Sequence, residues 1–223
     1  FWIAVIPAFV SVAVIVVGVR EPERPPGVRT VKSPFSRAEL GRLPAAYWMI
    51  VAVTAVFTLA RFSEAFLLLR AQAAGLPLAL VPSVMVVMNV VYALSAWPAG
   101  VLSDGMGRYR LLTIGFALLI VADVILAVNG SVAVVMLGVA LWGLHMGLTQ
   151  GLLSAMVADT APAELRGTAF GVFNLVSGIA LLVASIVAGA LWELVGPEGT
   201  FLAGAAFTAA ALVVLPWARR RAA

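Results

Sequence analysis

An all-α integral membrane fold of seven transmembrane helices is predicted, and three observations predict it. Apolar residues make up 63% of the 223 residues and charged residues only 11%, against the roughly 25% charge of a soluble domain. The mean hydropathy is +1.11, and several apolar stretches exceed the roughly 18 residues that separate a membrane span from a buried core helix. The basic residues gather at alternate ends of those stretches, as the retention of Lys and Arg on the cytoplasmic side requires.

Apolar runs and their breakers place the spans at about 1 to 19, 46 to 69, 78 to 102, 111 to 128, 132 to 157, 168 to 192 and 200 to 217. The first run has no basic flank before it. A signal peptide starts with positive charge, so this run reads as a true span and Phe1 as the start of a truncated sequence. Pro25-Pro26, Gly75-Leu76-Pro77, Asn129-Gly130, Pro162 and Gly196-Pro197 punctuate the joints. The division that follows is a single helix at 1–19, a polar cytoplasmic loop at 20–45, a block of six helices at 46–217 and a basic cytoplasmic tail at 218–223.

Strict alternation of the spans puts twelve of the 14 Lys and Arg residues on one face. They are Arg20, Arg24, Arg29, Lys32, Arg37 and Arg42 in the long loop, Arg108 and Arg110, Arg166, and Arg219 to Arg221. That face is expected to be cytoplasmic, with the C-terminus on it, and the compartment to be the cell membrane. Arg70 alone falls on the opposite face, and Arg61 falls within a span.

Between the third and fourth spans the chain reads GVLSDGMGRYRLL, from Gly100 to Leu112. This is similar to the G-x-L-x-D-x-x-G-R signature of the major facilitator superfamily, matched at Gly100, Leu102, Asp104, Gly107, Arg108 and Arg110, with Gly105 standing where a basic residue is common. After the fifth span, DTAPAELRGTAFG, from Asp159 to Gly171, resembles the family's P-x-x-x-R-G segment. The resemblance implies that the chain is the C-terminal part of a twelve-helix secondary transporter, helices 6 to 12, with the missing N-terminal half, helices 1 to 5, as its partner. A small-molecule substrate and membrane lipid are the other partners it implies.

In physical terms the glycines of the signature allow tight turning, and Asp104 is an acceptor able to cap the N-terminus of a neighbouring helix. Arg108 and Arg110 can pair with Glu164 beside Arg166. Such contacts would form in one transport state and part in the other, making Gly100, Asp104, Gly107, Arg108, Arg110, Glu164 and Arg166 a conformational latch. The plainer reading is that they hold topology and solvate a turn.

Ionisable groups inside spans are costly and mark candidate function. Arg61 and Glu64, spaced i,i+3, would share a helix face and could pair; they are candidates for a substrate or proton pathway. Asp123 lies at comparable depth and could neutralise Arg61, as a structural charge locking two helices together. On the fifth span Trp142, His145 and Thr149 fall on one face, nearly opposite a Gly143, Gly147, Gly151 ladder that would let another backbone approach. The polar face would then look into a cavity, where His145 could relay protons. Asn89 and Tyr92, and Asn174 and Ser177, add hydrogen-bonding groups at i,i+3. Gly167, Gly171, Asn174, Gly178, Ser185 and Gly189 make a small-residue stripe suited to a tight or sliding interface.

The sequence also narrows the function. With the basic residues lying between apolar spans, nucleic-acid binding is not expected. No G-x-x-x-x-G-K-[ST] loop occurs, and one His with no Cys cannot supply paired haem ligands or a thiolate metal site. No cofactor or metal is expected, and no enzymatic activity. The leading expectation is secondary transport of a small solute by alternating access, with proton coupling through Glu64, Asp123 and His145. A seven-helix receptor shares the span count, although the sole Lys, Lys32, lies in a loop and cannot carry a retinal Schiff base. A non-transporting scaffold built on the same half is the other alternative.

Overall fold

The computed structural model describes residues 2–18, 36–128 and 130–222. Most of the predicted loop, including Arg20, Arg24, Arg29 and Lys32, falls outside the described residues. The chain divides into two units, Phe1–Pro34 and Phe35–Ala223. The first contains α1 (Trp2–Gly18), 17 residues with Pro7 inside. At 1.5 Å per residue this rod is about 25 Å long, against a hydrocarbon core of about 30 Å.

The second unit is all helical, with no strand among the described residues. A short helix α2 (Arg37–Leu40) opens it, with Ser36 as its cap: the Ser36 hydroxyl accepts from the Glu39 N–H. Then follow α3 (Ala45–Ala60), α4 (Ala65–Ala73), α5 (Pro82–Met106), α6 (Arg108–Ala127), α7 (Val132–Thr160), α8 (Arg166–Leu194) and α9 (Pro197–Ala222). Six segments here are long and apolar enough to cross a membrane, the first being α3 and α4 taken together. Seven spans were expected; six meet the length, and α1 falls just short of it.

Three boundaries differ instructively from the sequence reading. The signature segment is no extended loop: α5 runs on to Met106, α6 starts at Arg108, and the whole turn is Gly107 at φ +84°. Only glycine enters that region without strain, which is why one residue suffices. The last helix continues through Ala222, so the basic tail is helical backbone. The second span is interrupted at 61–64.

α7 lies at the centre, packed along α5 and α6, while α9 packs on α6 and α3, and α8 on α3. The glycine ladder explains the closeness of α5 and α7. A methyl group on Gly143 would run into the Met88 carbonyl, and one on Gly147 into Ser95. Gly151 has open space beside it, so two of the three rungs carry the contact. The core is Phe57 stacked on Phe116 at 4.1 Å, with Leu111, Leu112, Leu119, Leu126 and Val139 fully buried around it. Polar ties cross between helices: Tyr47 Oη donates to the Ala169 carbonyl at 2.9 Å and Thr200 Oγ1 to the Ala188 carbonyl at 3.1 Å.

Candidate functional site

The interruption at 61–64 builds the site. Nothing in LARFSEA is a helix breaker, yet Arg61 adopts φ −102°, ψ 65°, and the ladder restarts only at Ala65. Ser63 supplies the reason. Its Oγ accepts from the Ala65 N–H at 3.3 Å, and its own N–H donates to Ser185 Oγ of α8 at 3.2 Å, so side chains satisfy backbone groups the helix would otherwise use. Phe62 is buried at the break, its ring 5.5 Å from both Trp142 and Phe201 and 5.4 Å from Phe66. Irregular backbone at membrane depth is tolerated only where protein buries it or a cavity adjoins it. Both conditions hold here.

The cavity is about 690 Å³, within the range of small-molecule sites. α3 contributes Thr54, Phe57 and Thr58, the break Arg61 to Glu64, α7 Trp142, Gln150, Leu153 and Ser154, and α8 Phe173, Ser177, Gly178, Leu181 and Ser185. Arg61 is half-buried. Its guanidinium carbon stands 5.9 Å from the centre of the Phe57 ring, within cation–π range. No carboxylate among the described residues lies within 4.0 Å of it, and its Nε has no hydrogen-bond partner.

Arg61 and Glu64 therefore both line the cavity, but not as a pair on one helix face, because the helix ends between them. Asp123 does not neutralise Arg61. Its carboxylate is fully buried with neither oxygen hydrogen-bonded. It lies against α9, where a methyl on Gly204 would sit 2.8 Å from Oδ2 and 3.3 Å from the Ala60 carbonyl. Of the polar face on α7, Trp142 alone lines the cavity; His145 and Thr149 are buried behind it. His145 packs edge-on against Trp142 and Phe57, and Thr149 Oγ1 donates to the His145 carbonyl at 2.8 Å. Asn89 is exposed and donates to the Met85 carbonyl of its own helix. Tyr92 is half-buried and Asn174 exposed, and neither lines the cavity. Methyl groups on Gly167, Gly178 and Gly189 would meet nothing, so the small-residue stripe is open at those positions, while its Ser185 accepts from the Ser63 N–H.

Sequence reasoning missed Thr54, Thr58, Gln150 and Ser154. The signal was present: Thr54, Phe57, Thr58 and Arg61 repeat at i, i+3, i+4 and i+7, one face of a helix.

At the basic end the partners differ from those expected. Glu164 pairs with Arg42 at 3.0 Å, and Arg42 also holds Glu39 at 2.8 Å. Arg108 pairs with Asp159. This pair corrects two unfavourable placements at once, a cation in the first turn of α6 and an anion in the last turn of α7, each facing the wrong end of its helix dipole. Asp104 sits exposed within the last turns of α5 and caps no helix among the described residues. Arg110, Arg166 and Gly100 are likewise exposed. Arg70, the one basic residue expected on the opposite face, is buried. It donates through Nε to the Leu126 carbonyl and through a terminal nitrogen to the Val128 carbonyl, both at 2.7 Å, closing the C-terminal end of α6.

A family model described as Major Facilitator Superfamily matches residues 55–223. An uncharacterized MFS-type transporter of Methanocaldococcus jannaschii is 35% identical over 178 residues, 75% of this chain and 44% of that protein. An uncharacterized protein of Mycobacterium tuberculosis is 28% identical over 153 residues, 68% of this chain and 37% of its own length. Among solved structures, a POT peptide transporter in complex with alafosfalin superposes with a TM-score of 0.68 at 21% identity, over 80% of this chain and 39% of that one. The chain thus spans less than half the length of each of these three proteins.

Proposed function

The chain belongs to the Major Facilitator Superfamily, and from that premise we propose that it forms the C-terminal half of a secondary transporter moving a small solute by alternating access. In this reading α1 corresponds to helix 6 and the second unit to helices 7 to 12, completed by an N-terminal half of five helices. The observation that carries it is the broken span, whose non-helical segment presents Arg61 and Glu64 to a cavity. Discontinuous helices are how transporters bring charge to a midplane site, because freed backbone and side chains become available without unsatisfied groups facing lipid.

Two further assignments belong to this proposal. The ion pairs Arg108 with Asp159 and Arg42 with Glu164 are the movable contacts of a latch that also includes Gly100, Asp104, Gly107, Arg110 and Arg166. Both lie within the second unit, so they part only if segments of this half shift against one another. Proton coupling runs through Glu64, Asp123 and His145, of which Glu64 lines the cavity while Asp123 and His145 are buried behind it. The orientation places Arg108, Arg166 and the C-terminus in the cytoplasm of a cell whose plasma membrane holds the protein.

The experiment is solute flux in proteoliposomes containing the protein at its full natural length, with and without an imposed pH gradient. Flux that is saturable and abolished by Arg61→Ala supports the reading. No flux of any solute from a folded protein overturns it, and flux indifferent to the pH gradient removes the coupling. Single cysteines at positions 108 and 220, introduced after any cysteine of the full-length protein has been replaced, report the orientation; labelling from opposite sides contradicts it.

A further inference from the structure

We propose that Ser185 of α8 is a positioning residue for the cavity: its hydroxyl holds the second span broken and so keeps Arg61 and Glu64 apart on the cavity wall instead of paired along a helix. The proposal rests on reading that cavity as the transport site, and it adds a residue that governs the geometry of the site.

Two acceptors compete for one N–H. LARFSEA contains no Pro or Gly, and in an uninterrupted helix the Ser63 N–H would donate to the Leu59 carbonyl, four residues back. It donates instead to Ser185 Oγ at 3.2 Å, while Ser63 Oγ takes up the Ala65 N–H at 3.3 Å. The outcome reaches the charges. An unbroken helix would set Arg61 and Glu64 at i,i+3, within reach of each other; here no ion pair joins them within 4.0 Å, and both line the cavity. Phe62 seats the break against Trp142, Phe201 and Phe66, but an aromatic contact gives the Ser63 N–H no acceptor. The hydroxyl supplies it.

The tie is also the one that an α8 side chain controls. Tyr47 and Thr200 reach α8 as well, but they end on the backbone carbonyls of Ala169 and Ala188, which a change of side chain leaves in place. Around Ser185 the helix packs through small groups: Ala180, Ala184 and Ala188 are buried, and Gly178 and Gly189 have open space beside them. Removing the hydroxyl therefore removes the acceptor and little else.

The test uses the full-length protein in detergent, its own cysteines replaced, with spin labels on Ala52→Cys and Leu69→Cys. Both positions are exposed, one on each side of the break. Chain that leaves a helix rises about 3.3 Å per residue instead of about 1.5 Å, so closing the break over three residues should move the label distance by about 3 Å or more. Ser185→Ala is expected to produce that shift, and Ser185→Thr, which keeps the hydroxyl, to leave the parent distance; melting temperature is the control for folding. An unchanged distance in folded Ser185→Ala overturns the assignment, and so does a shift shared by Ser185→Thr, which would make size decisive and not the hydroxyl. In proteoliposomes Ser185→Ala should lose tenfold or more in flux of any solute the parent carries, with Ser185→Thr restoring it. A shifted distance with parental flux removes the positioning role. The distance is read without transport, so the two readings fail separately: a parent that carries no solute sinks the transporter reading and leaves the distance result standing.

Discussion

The charges at the basic end of the bundle and those within it are held in opposite ways. At the basic end, where water makes charge cheap, Arg42, Glu39, Glu164, Arg108 and Asp159 are all paired. Inside, where charge is expensive, Arg61, Asp123 and His145 have buried polar atoms with no partner among the described residues. Stability alone would arrange the reverse, since an unpaired buried group costs most. The difference separates charges that are paired where water reaches them from buried polar atoms that this unit leaves unsatisfied.

Arg70 is the instructive middle case: more deeply buried than Arg61, but satisfied by two carbonyls. Comparing the two gives the largest expected effect. Arg61→Ala should lower flux in proteoliposomes by about a hundredfold, the equivalent of about 2.7 kcal/mol, while the melting temperature is unchanged or raised. A collapse of folding with flux per folded molecule preserved would mean that Arg61 is structural after all. Arg70→Ala should do the converse, costing about 3 kcal/mol of stability by orphaning the end of α6, as measured by denaturant unfolding in detergent. If its loss is below about 1 kcal/mol, the contrast between paired and unpaired charge loses its meaning.

Asp123 sharpens the comparison further. With no partner to lose, Asp123→Asn should stay within about 1 kcal/mol of the parent stability, yet it should flatten the dependence of flux on a pH gradient. A large destabilisation would reinstate the helix lock that the sequence suggested. The smallest effect belongs to the basic end. Arg42→Ala removes exposed ion pairs to Glu39 and Glu164 and should shift stability by less than about 1 kcal/mol, measured by the same unfolding. A larger loss would show that the exposed pairs, too, are part of the scaffold.

Span positions were legible because apolar length and breakers report directly on the solvent, and the order of long loop, signature and P-x-x-x-R-G segment carried the family. What escaped was anything decided by tertiary contact. The break at 61–64 has no Pro or Gly to announce it; it depends on Ser63 finding Ser185, which is distant in sequence. Arg61 and Glu64 were identified as candidates by their charge alone, and their pairing was misjudged because i,i+3 spacing presumes an unbroken helix. Glu164 was matched to Arg108 and Arg110, whereas geometry gave it to Arg42 and gave Asp159 to Arg108. Thr149 and His145 shared a face with Trp142, but α6 lies closely over Thr149, since a methyl on Gly115 would meet its side chain.

The interrupted span also divides its loyalties. α3 rests chiefly on α9 and α8, whereas α4 leans on α5 and α7 and is clasped by Arg70 to the end of α6. The chain therefore passes from one packing group to another at the three residues between Ala60 and Glu64, where no helical ladder has to be stretched. A small rotation of one group against the other would be absorbed there as changes in a few backbone torsions, and it would shift Arg61 and Glu64 within the cavity they line.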